Sequence, residues 1–423
     1  MHVVILGNGV AGVSAGLRVR ARRPDWKITI VSGESTYHWS RPALMYVFMG
    51  HMPYRDTKPF PDSFWDARRL DLVRGWVVRI DVGDRCLELA DGRTVAWDKL
   101  LIATGSKPNR FGWPGQDLEG VQGMYGLYDL ERLYRNTERA RRAVIAGGGL
   151  IGIELAEMLH SRNIPVTLLV REKSYWGNVL NAEESSMVNR IIRGHGIELE
   201  LETTLGAIEA DGNGRCAAAV SDDGRRFECD LVGLTAGVAP NVDVLDGTGI
   251  DVGRGVRVDR ELRTRVPDVW AAGDCAEIIA DGDGPGLLQQ VWYTGKMQGE
   301  VAGDNVAGAT RRYDPGIWYN SAKFFDLEYQ TYGLVNRSVP GERNLYWEDT
   351  AGMRSARLVY TDDGVVGLQT MGVRWRHEVA ESWLHERRAA GEVIERLHEI
   401  GFDPELHRKH EGEIARTFRE QLS

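Results

Sequence analysis

The run Val3-Val4-Ile5-Leu6-Gly7-Asn8-Gly9-Val10-Ala11-Gly12 decides how the chain is read. Four apolar residues in a row, three of them β-branched, suit a buried parallel strand. The glycines that follow are spaced G-x-G-x-x-G. In that pattern the first allows a tight turn, the second lets a diphosphate come close, and the third packs a helix onto the strand. Unpaired N–H groups and the helix dipole at such a turn favour an anion. Ala11, Ala15, Leu17 and Val19 predict a helix running toward Arg23. Pro24-Asp25 ends it, and Ile28-Thr29-Ile30-Val31 reads as the next strand. Glu34, 22 residues beyond Gly12, stands where an acidic residue would hold a ribose hydroxyl.

The same unit returns 140 residues later. Ala143 to Ala146 is a strand, Gly147-Gly148-Gly149-Leu150-Ile151-Gly152 a turn, Ile153 to His160 a helix and Val166 to Val170 a second strand. Two such units predict two nucleotide-binding folds in tandem, not a short-period repeat. The next residues, Arg171-Glu172-Lys173, offer both charges. Glu172 would take an adenosine 2′-hydroxyl and Arg171 or Lys173 a 2′-phosphate, so NADH and NADPH both stay open.

The 423 residues carry 52 Lys and Arg against 61 Asp and Glu, a net charge of −9 that disfavours non-specific nucleic-acid binding. The 50 glycines, about 12% of the chain against a usual ~7%, fit backbone brought close to ligands. Cys86, Cys216, Cys229 and Cys275 form no C-x-x-C, so neither a zinc ribbon nor a dithiol motif is expected, and a cytoplasmic location fits. No secretory leader and no ~18-residue apolar span is read. Val77 to Ile80 with Cys86 to Leu89, Ala217 to Ser221 with Arg225 to Cys229, and Leu358 to Thr361 with Val365 to Gln369 predict β pairs. Trp375 to about Ile400 predicts helix, broken at Asp403-Pro404 and followed by a short charged helix.

Tandem nucleotide folds, the first at the N-terminus and the second inserted, resemble the FAD-dependent members of the pyridine nucleotide-disulfide oxidoreductase superfamily. Further segments carry the likeness in order over roughly residues 1–310. Ala103-Thr104-Gly105-Ser106 resembles its A-T-G turn beside the FAD. Thr235-Ala236-Gly237-Val238-Ala239-Pro240-Asn241 resembles the return crossing between domains. Val269 to Glu277, with Gly273-Asp274, resembles the strand whose Asp meets the ribityl chain. Ser40-Arg41-Pro42-Ala43-Leu44, Gly149-Leu150-Ile151-Gly152-Ile153-Glu154 and Ile317 to Gly333 are most similar to the ferredoxin and rubredoxin reductase and nitrite reductase flavoprotein branch.

The resemblance implies an α/β fold. It has two Rossmann-like, three-layer ββα nucleotide-binding domains plus a C-terminal α+β domain: FAD-binding 1–115 and 238–312, NAD(P)H-binding 116–237, and C-terminal 313–423. It implies FAD on Gly7, Gly9, Val10, Ala11, Gly12, Glu34, Arg41, Pro42, Ala103, Thr104, Gly105, Gly273, Asp274 and the helix start Gln290, Val291, Trp292. NAD(P)H, the substrate, would sit on Gly147, Gly149, Leu150, Ile151, Gly152, Glu154, Arg171, Glu172 and Gly237, with hydride passing to flavin N5. The electron acceptor implied is a small iron–sulfur protein; a homodimer is a separate expectation.

The chain departs from the branch in places. Its R-P-P-L-S-K segment ends in a Lys that would pair with the Glu of the second motif, and here that position is Tyr46. Glu154 then lacks its cation unless Lys323 or another base supplies one, which makes Glu154, Arg41, Tyr46 and Lys323 the candidate catalytic residues. Neither a C-x-x-x-x-C pair nor a single thiol occurs over Tyr37 to Gly50, which disfavours thiol chemistry, and Cys275 reads as buried filler. His38 and His377 read as satisfied or surface residues. Tyr37, Trp39, Tyr46, Trp292, Tyr293, Trp318 and Tyr319 serve either core packing or flavin shielding. Trp383, in the terminal helices, packs on the β domain or meets a partner. The rival functions are an NAD(P)H oxidase or small-molecule reductase, a membrane-docked quinone reductase, and a flavin redox sensor.

Overall fold

The computed structural model describes residues 1–177, 179–279, 286–335, 340–402 and 409–423; the break read at Asp403-Pro404 lies outside them. The chain forms two compact units, one of residues 1–109, 123–135 and 237–315, the other of 110–122, 136–236 and 316–423.

The first unit is built on a parallel sheet ordered Val269–Ala271, Lys99–Ile102, His2–Leu6, Lys27–Ser32, Asp71–Arg74. The opening strand is central, and its Val3, Val4 and Ile5 are wholly buried, which explains its unbroken apolar run. The chain leaves it on one side for Lys27–Ser32 and returns on the other as Lys99–Ile102. A sheet that reverses its strand order in this way opens a crevice at the carboxyl ends of the two central strands.

Two helices of this unit, Val10–Arg22 and Trp292–Val306, touch backbone to backbone. A Cβ on Gly299 would stand 2.2 Å from the Ala11 carbonyl oxygen, and one on Gly303 would stand 2.5 Å from that of Ala15. Gly295 meets Val10 in the same row, so the helices run parallel and their N-termini open at one end. Further along, fully buried Asp304 receives Arg18 at 2.9 and 2.8 Å, together with Arg22 and Arg311. Burial alone would raise this carboxyl; the three guanidiniums override it and hold it well below the usual carboxylate range.

The second unit holds two main sheets. One is parallel, ordered Glu198–Leu201, Val166–Val170, Ala143–Ala146, Leu231–Leu234, Val121–Gln122, and repeats the switch of direction seen in the first unit. A small sheet of Leu205–Ala210, Cys216–Ser221 and Arg226–Glu228 contains the hairpin expected at Asp222-Asp223-Gly224. The other main sheet is antiparallel: Tyr319–Phe324, Leu327–Gly333, Gly364–Met371, Ser355–Thr361, Arg343–Glu348. Leu345, Trp347, Leu358 and Leu368 from this sheet share a core with Trp383, Ile394, Leu397 and Phe418 of the terminal helices. Trp383 is therefore a packing residue.

The helical stretch read over Trp375 to Ile400 is divided. Helices His377–His385 and Ala390–Glu395 are separated by Arg387, whose φ of +49° reverses the chain, and Arg388 N–H closes the first on the Trp383 carbonyl at 3.1 Å. Trp375 lies outside both and is buried, bridged to Gly401.

Replacing Asp304 by Asn should lower stability by about 2 kcal/mol. That is less than breaking a fully buried pair costs, because the three arginines are half exposed. A carboxyl held below its ordinary pKa stabilises the fold above about pH 4 and loses that contribution as pH falls toward 2. Denaturant titrations from pH 7 to 2 should therefore show the gap between wild type and Asp304→Asn closing with acid; a gap that stays constant would contradict the clamp.

Candidate functional site

The two Gly-rich turns share one geometry. Gly7 has φ +117°, and a Cβ there would lie 2.1 Å from the Ala103 carbonyl oxygen at the end of the neighbouring strand. Gly147 has φ +140°, and its Cβ would lie 2.4 Å from the Thr235 carbonyl oxygen. Cβ atoms on Gly12 and Gly152 would lie 2.0 and 2.5 Å from the carbonyl oxygens of Gly7 and Gly147. The protein itself therefore demands these four glycines.

It makes no such demand of Gly9 and Gly149. Each is extended, each is the N-cap of its helix, and a Cβ on either would meet nothing within 4 Å. Neither helix start has a side-chain cap or an acidic residue in its first turn. A turn kept open in front of uncapped amides fits a diphosphate, because the helix N-terminus attracts negative charge and a side chain would block its approach. Val10 and Ala11 open the first helix, and Leu150 and Ile151 the second.

A buried polar net surrounds the first turn. The Asn8 amide donates to the Ser35 carbonyl at 2.9 Å and accepts from Ser32 Oγ at 3.0 Å. His38 Nδ1 lies 2.8 Å from the Asn8 carbonyl and must donate, since a carbonyl only accepts. Burial lowers the pKa of this ring, so His38 is the satisfied polar residue expected. Glu34 follows the second strand, as read. Its carboxylate accepts both Arg41 guanidinium nitrogens at 3.2 and 2.7 Å and the Leu127 amide at 3.0 Å. Arg41 lies against the Trp39 and Tyr125 rings, 4.8 and 4.6 Å from their centroids. Pro42 is exposed beside it.

A second group forms around Asp274. Ser106 Oγ donates to Asp274 Oδ2 at 3.0 Å, Gln290 Nε2 donates to Ser106 Oγ at 2.8 Å, and the Ser106 amide reaches the Tyr125 hydroxyl at 3.2 Å. Burial pushes the Asp274 carboxyl above its ordinary value, against Ser106 and the charge of Arg41. Gly273 has φ +82° and passes so near the first helix that its Cβ would be 2.8 Å from that of Ala11. The Gly273 amide donates to Gln298 Oε1 at 2.8 Å. Thr104 Oγ1 donates to the Asn241 carbonyl at 2.6 Å, and the Asn241 amide to that of Gly105 at 2.8 Å. Ala103 supplies the carbonyl over Gly7. Gly237, with φ +86°, opens a strand pairing Val238–Pro240 with Ser106–Pro108. Val291 caps the helix that starts at Trp292, whose side chain is exposed and edge-on to Tyr293. Cys275 is wholly buried with Sγ facing the Ile102 and Ala272 carbonyls, the filler expected.

At the second turn, Glu172 Oε2 stands 3.4 Å from where a Gly148 Cβ would be, and Arg171 donates to Glu172 Oε1 at 2.9 Å. Glu154 lies on the first turns of the helix. Burial, then the negative charge of Glu157, pushes its carboxyl up to about 8. The suggestion that Lys323 serves as its cation is corrected here: the charge of Lys323 acts on Glu157, which also accepts the Phe325 amide at 2.7 Å. Tyr46 sits in the short helix Leu44–Phe48 with its ring 6.1 Å from His51.

Sequence reading missed Asn8, Ser106, Tyr125 and Gln298. Ser106 directly follows the A-T-G run, and Gln298 follows the helix start by six residues; position alone marked them.

Gly9→Glu fills a gap that no protein atom occupies, so it should leave the fold intact and cut bound flavin to below about a tenth of wild type. Flavin absorbance and thermal unfolding of the purified variant test this; full flavin content would contradict the cradle.

Comparison with known proteins agrees with this geometry. The family model described as pyridine nucleotide-disulphide oxidoreductase matches residues 1–299. An NAD(P)H sulfur oxidoreductase (CoA-dependent) of Pyrococcus abyssi is 30% identical over 340 residues, 79% of this chain and 75% of the relative. Rhodocoxin reductase of Rhodococcus erythropolis is 28% identical over 337 residues, 79% and 78% of the two chains. In fold, a ferredoxin reductase from Rhodopseudomonas palustris superimposes with a TM-score of 0.81 over 99% of both chains at 23% identity.

Proposed function

Since the chain belongs to the pyridine nucleotide-disulphide oxidoreductase family, and is an FAD-dependent oxidoreductase using NAD(P)H, we propose how its residues divide that work. Residues 1–115 and 238–312 hold FAD, residues 116–237 receive NAD(P)H, and 313–423 form the C-terminal domain. The observation that carries this assignment is the pair of open positions at Gly9 and Gly149, each flanked by glycines that the backbone requires. Bound FAD supplies the exchange between a two-electron hydride donor and one-electron acceptors.

The chain's own groups hold and orient. The first amides of the helices that open at Val10 and Leu150 take the two diphosphates. Glu34, aimed by Arg41, takes the flavin-side adenosine ribose. Asp274, Ser106 and Gln290 form an acceptor–donor row for the ribityl hydroxyls and the ring edge. The Trp292 helix turns its N-terminus toward the same crevice, where its dipole favours negative charge on a reduced ring.

The acceptor in this reading is a small iron–sulfur protein; in support, the Rhodococcus relative is named for reducing a partner, rhodocoxin. The CoA-dependent sulfur chemistry named for the Pyrococcus relative has less support: Tyr37 to Gly50 holds no cysteine, and Cys275 is sealed. Among the described residues no helix is long and apolar enough to cross a membrane. Four free thiols support a reducing cytoplasm, and the reading includes a homodimer.

The carboxylate of Glu172 beside Gly148, with Arg171 turned to neutralise it, favours a 2′-hydroxyl over a 2′-phosphate. Anaerobic titration should therefore bleach the flavin with NADH at an efficiency at least about tenfold that with NADPH, or ~1.4 kcal/mol. Equal efficiency would contradict the Glu172 assignment. Turnover with ferredoxin-type protein, oxygen, quinone and polysulfide then ranks the acceptors, and polysulfide outpacing the iron–sulfur protein would overturn that part.

A further inference from the structure

The segment after strand Val166–Val170 sends a phenol back to the turn that precedes that strand. Tyr175 is wholly buried, its hydroxyl donates to the Gly149 carbonyl at 2.6 Å, and the Ile153 amide donates to the same carbonyl at 3.3 Å. Burial pushes this phenol well above its ordinary value, so its proton is a fixed donor. Gly149 is the N-cap of the second dinucleotide helix and has no side chain with which to cap. A Ser or Asp there would cap from within and block the open space in front. Tyr175 ties down the same turn from behind and leaves that space clear.

Tyr175 is itself held by helix Ala182–Gly194. Its amide donates to Asn189 Oδ1 at 3.0 Å, and its carbonyl accepts Ser185 Oγ at 2.5 Å. The helix begins with a capping box of Asn181 and Glu184. The Glu184 carboxylate, wholly buried, accepts Arg357 Nε and Nη2 at 2.9 and 3.0 Å and Gln369 Nε2 at 2.5 Å. Arg357 and Gln369 belong to the antiparallel sheet, so hydrogen bonds at both faces of helix Ala182–Gly194, joined by its backbone, connect that sheet to Gly149 within this unit. Trp176, with φ +56°, adds an aromatic contact to Tyr329 of the same sheet, centroids 5.1 Å apart.

We propose that Tyr175 is a positioning residue for nicotinamide-nucleotide binding, its hydroxyl fixing the Gly149 turn, and that the C-terminal sheet fixes Tyr175 through Glu184. This rests on reading Gly147 to Gly152 as the NAD(P)H turn. A buried ion pair is weak evidence for added stability; in this proposal the Glu184–Arg357 pair gives the sheet a part in binding as well as in packing.

The test is anaerobic stopped-flow reduction of the full-length, FAD-loaded protein by NADH. Tyr175→Phe should raise the half-saturating NADH concentration about tenfold, as loss of one buried hydrogen bond allows, and leave the limiting rate within about twofold. Flavin content should not change. Glu184→Gln should shift half-saturation the same way by about threefold, and the double variant should be no worse than Tyr175→Phe alone. Unchanged half-saturation in Tyr175→Phe, or a fallen limiting rate at unchanged half-saturation, overturns the positioning role. Multiplying effects in the double variant overturn the link to the sheet. If Tyr175→Phe loses flavin or fold, Asn189→Ala carries the same expected shift and its absence overturns the proposal. Gly149→Glu, run alongside, separates the two readings. If it is still reduced at wild-type NADH, the turn has been misassigned. If it is blocked while Tyr175→Phe is unchanged, only the positioning role fails.

Discussion

Two carbonyl oxygens, those of Ala103 and Thr235, lie where a side chain on Gly7 or Gly147 would have to be. This contact between the ends of neighbouring parallel strands sets how sharply the chain turns into the following helix. It also aims the first amides of each helix at the crevice where the strand order reverses. Larger residues at these positions would push the turn off the sheet edge. The open positions at Gly9 and Gly149 make sense only because the glycines on either side are fixed in this way.

In the first unit the constraint extends through a second helix. Gly295, Gly299 and Gly303 bring Trp292–Val306 into backbone contact with Val10–Arg22, so two parallel helices present their N-termini together. Asp304 and its three arginines lock the far end of that pair. Two aligned positive helix ends and the polar pair of Asp274 and Ser106 lie in this one unit, and the proposed flavin site rests on that arrangement. In the second unit the turn is equally sharp, but its support comes from a phenol and a buried Glu–Arg pair, not from a helix partner.

Much of this could be read from the chain because the informative signals are local. Val3 to Leu6 and Ala143 to Ala146 suited buried strands, and the spacing of the glycines after them matched phosphate geometry. The hairpins at Asp222-Asp223-Gly224 and Asp362-Asp363-Gly364 lay where turn chemistry placed them. Pairings over long separations could not be read. Arg18 finds Asp304 286 residues away, and Glu184 finds Arg357 173 residues away. Nothing in either local sequence marks the partner. The pairing of Arg41 with Glu34 was missed for another reason: each had been assigned to the ligand separately. The Gly295 stripe could have been seen, since its spacing of four is the helical repeat at which small residues let backbones meet, but such spacing has no meaning until the opposing helix is known.

The central claim is that two separate cradles exist in one polypeptide. Equilibrium dialysis of the apoprotein with FAD and NAD⁺, alone and together, tests it most directly. One molecule of each should bind per chain, with neither displacing the other. A total of one nucleotide per chain, or mutual displacement, would contradict it.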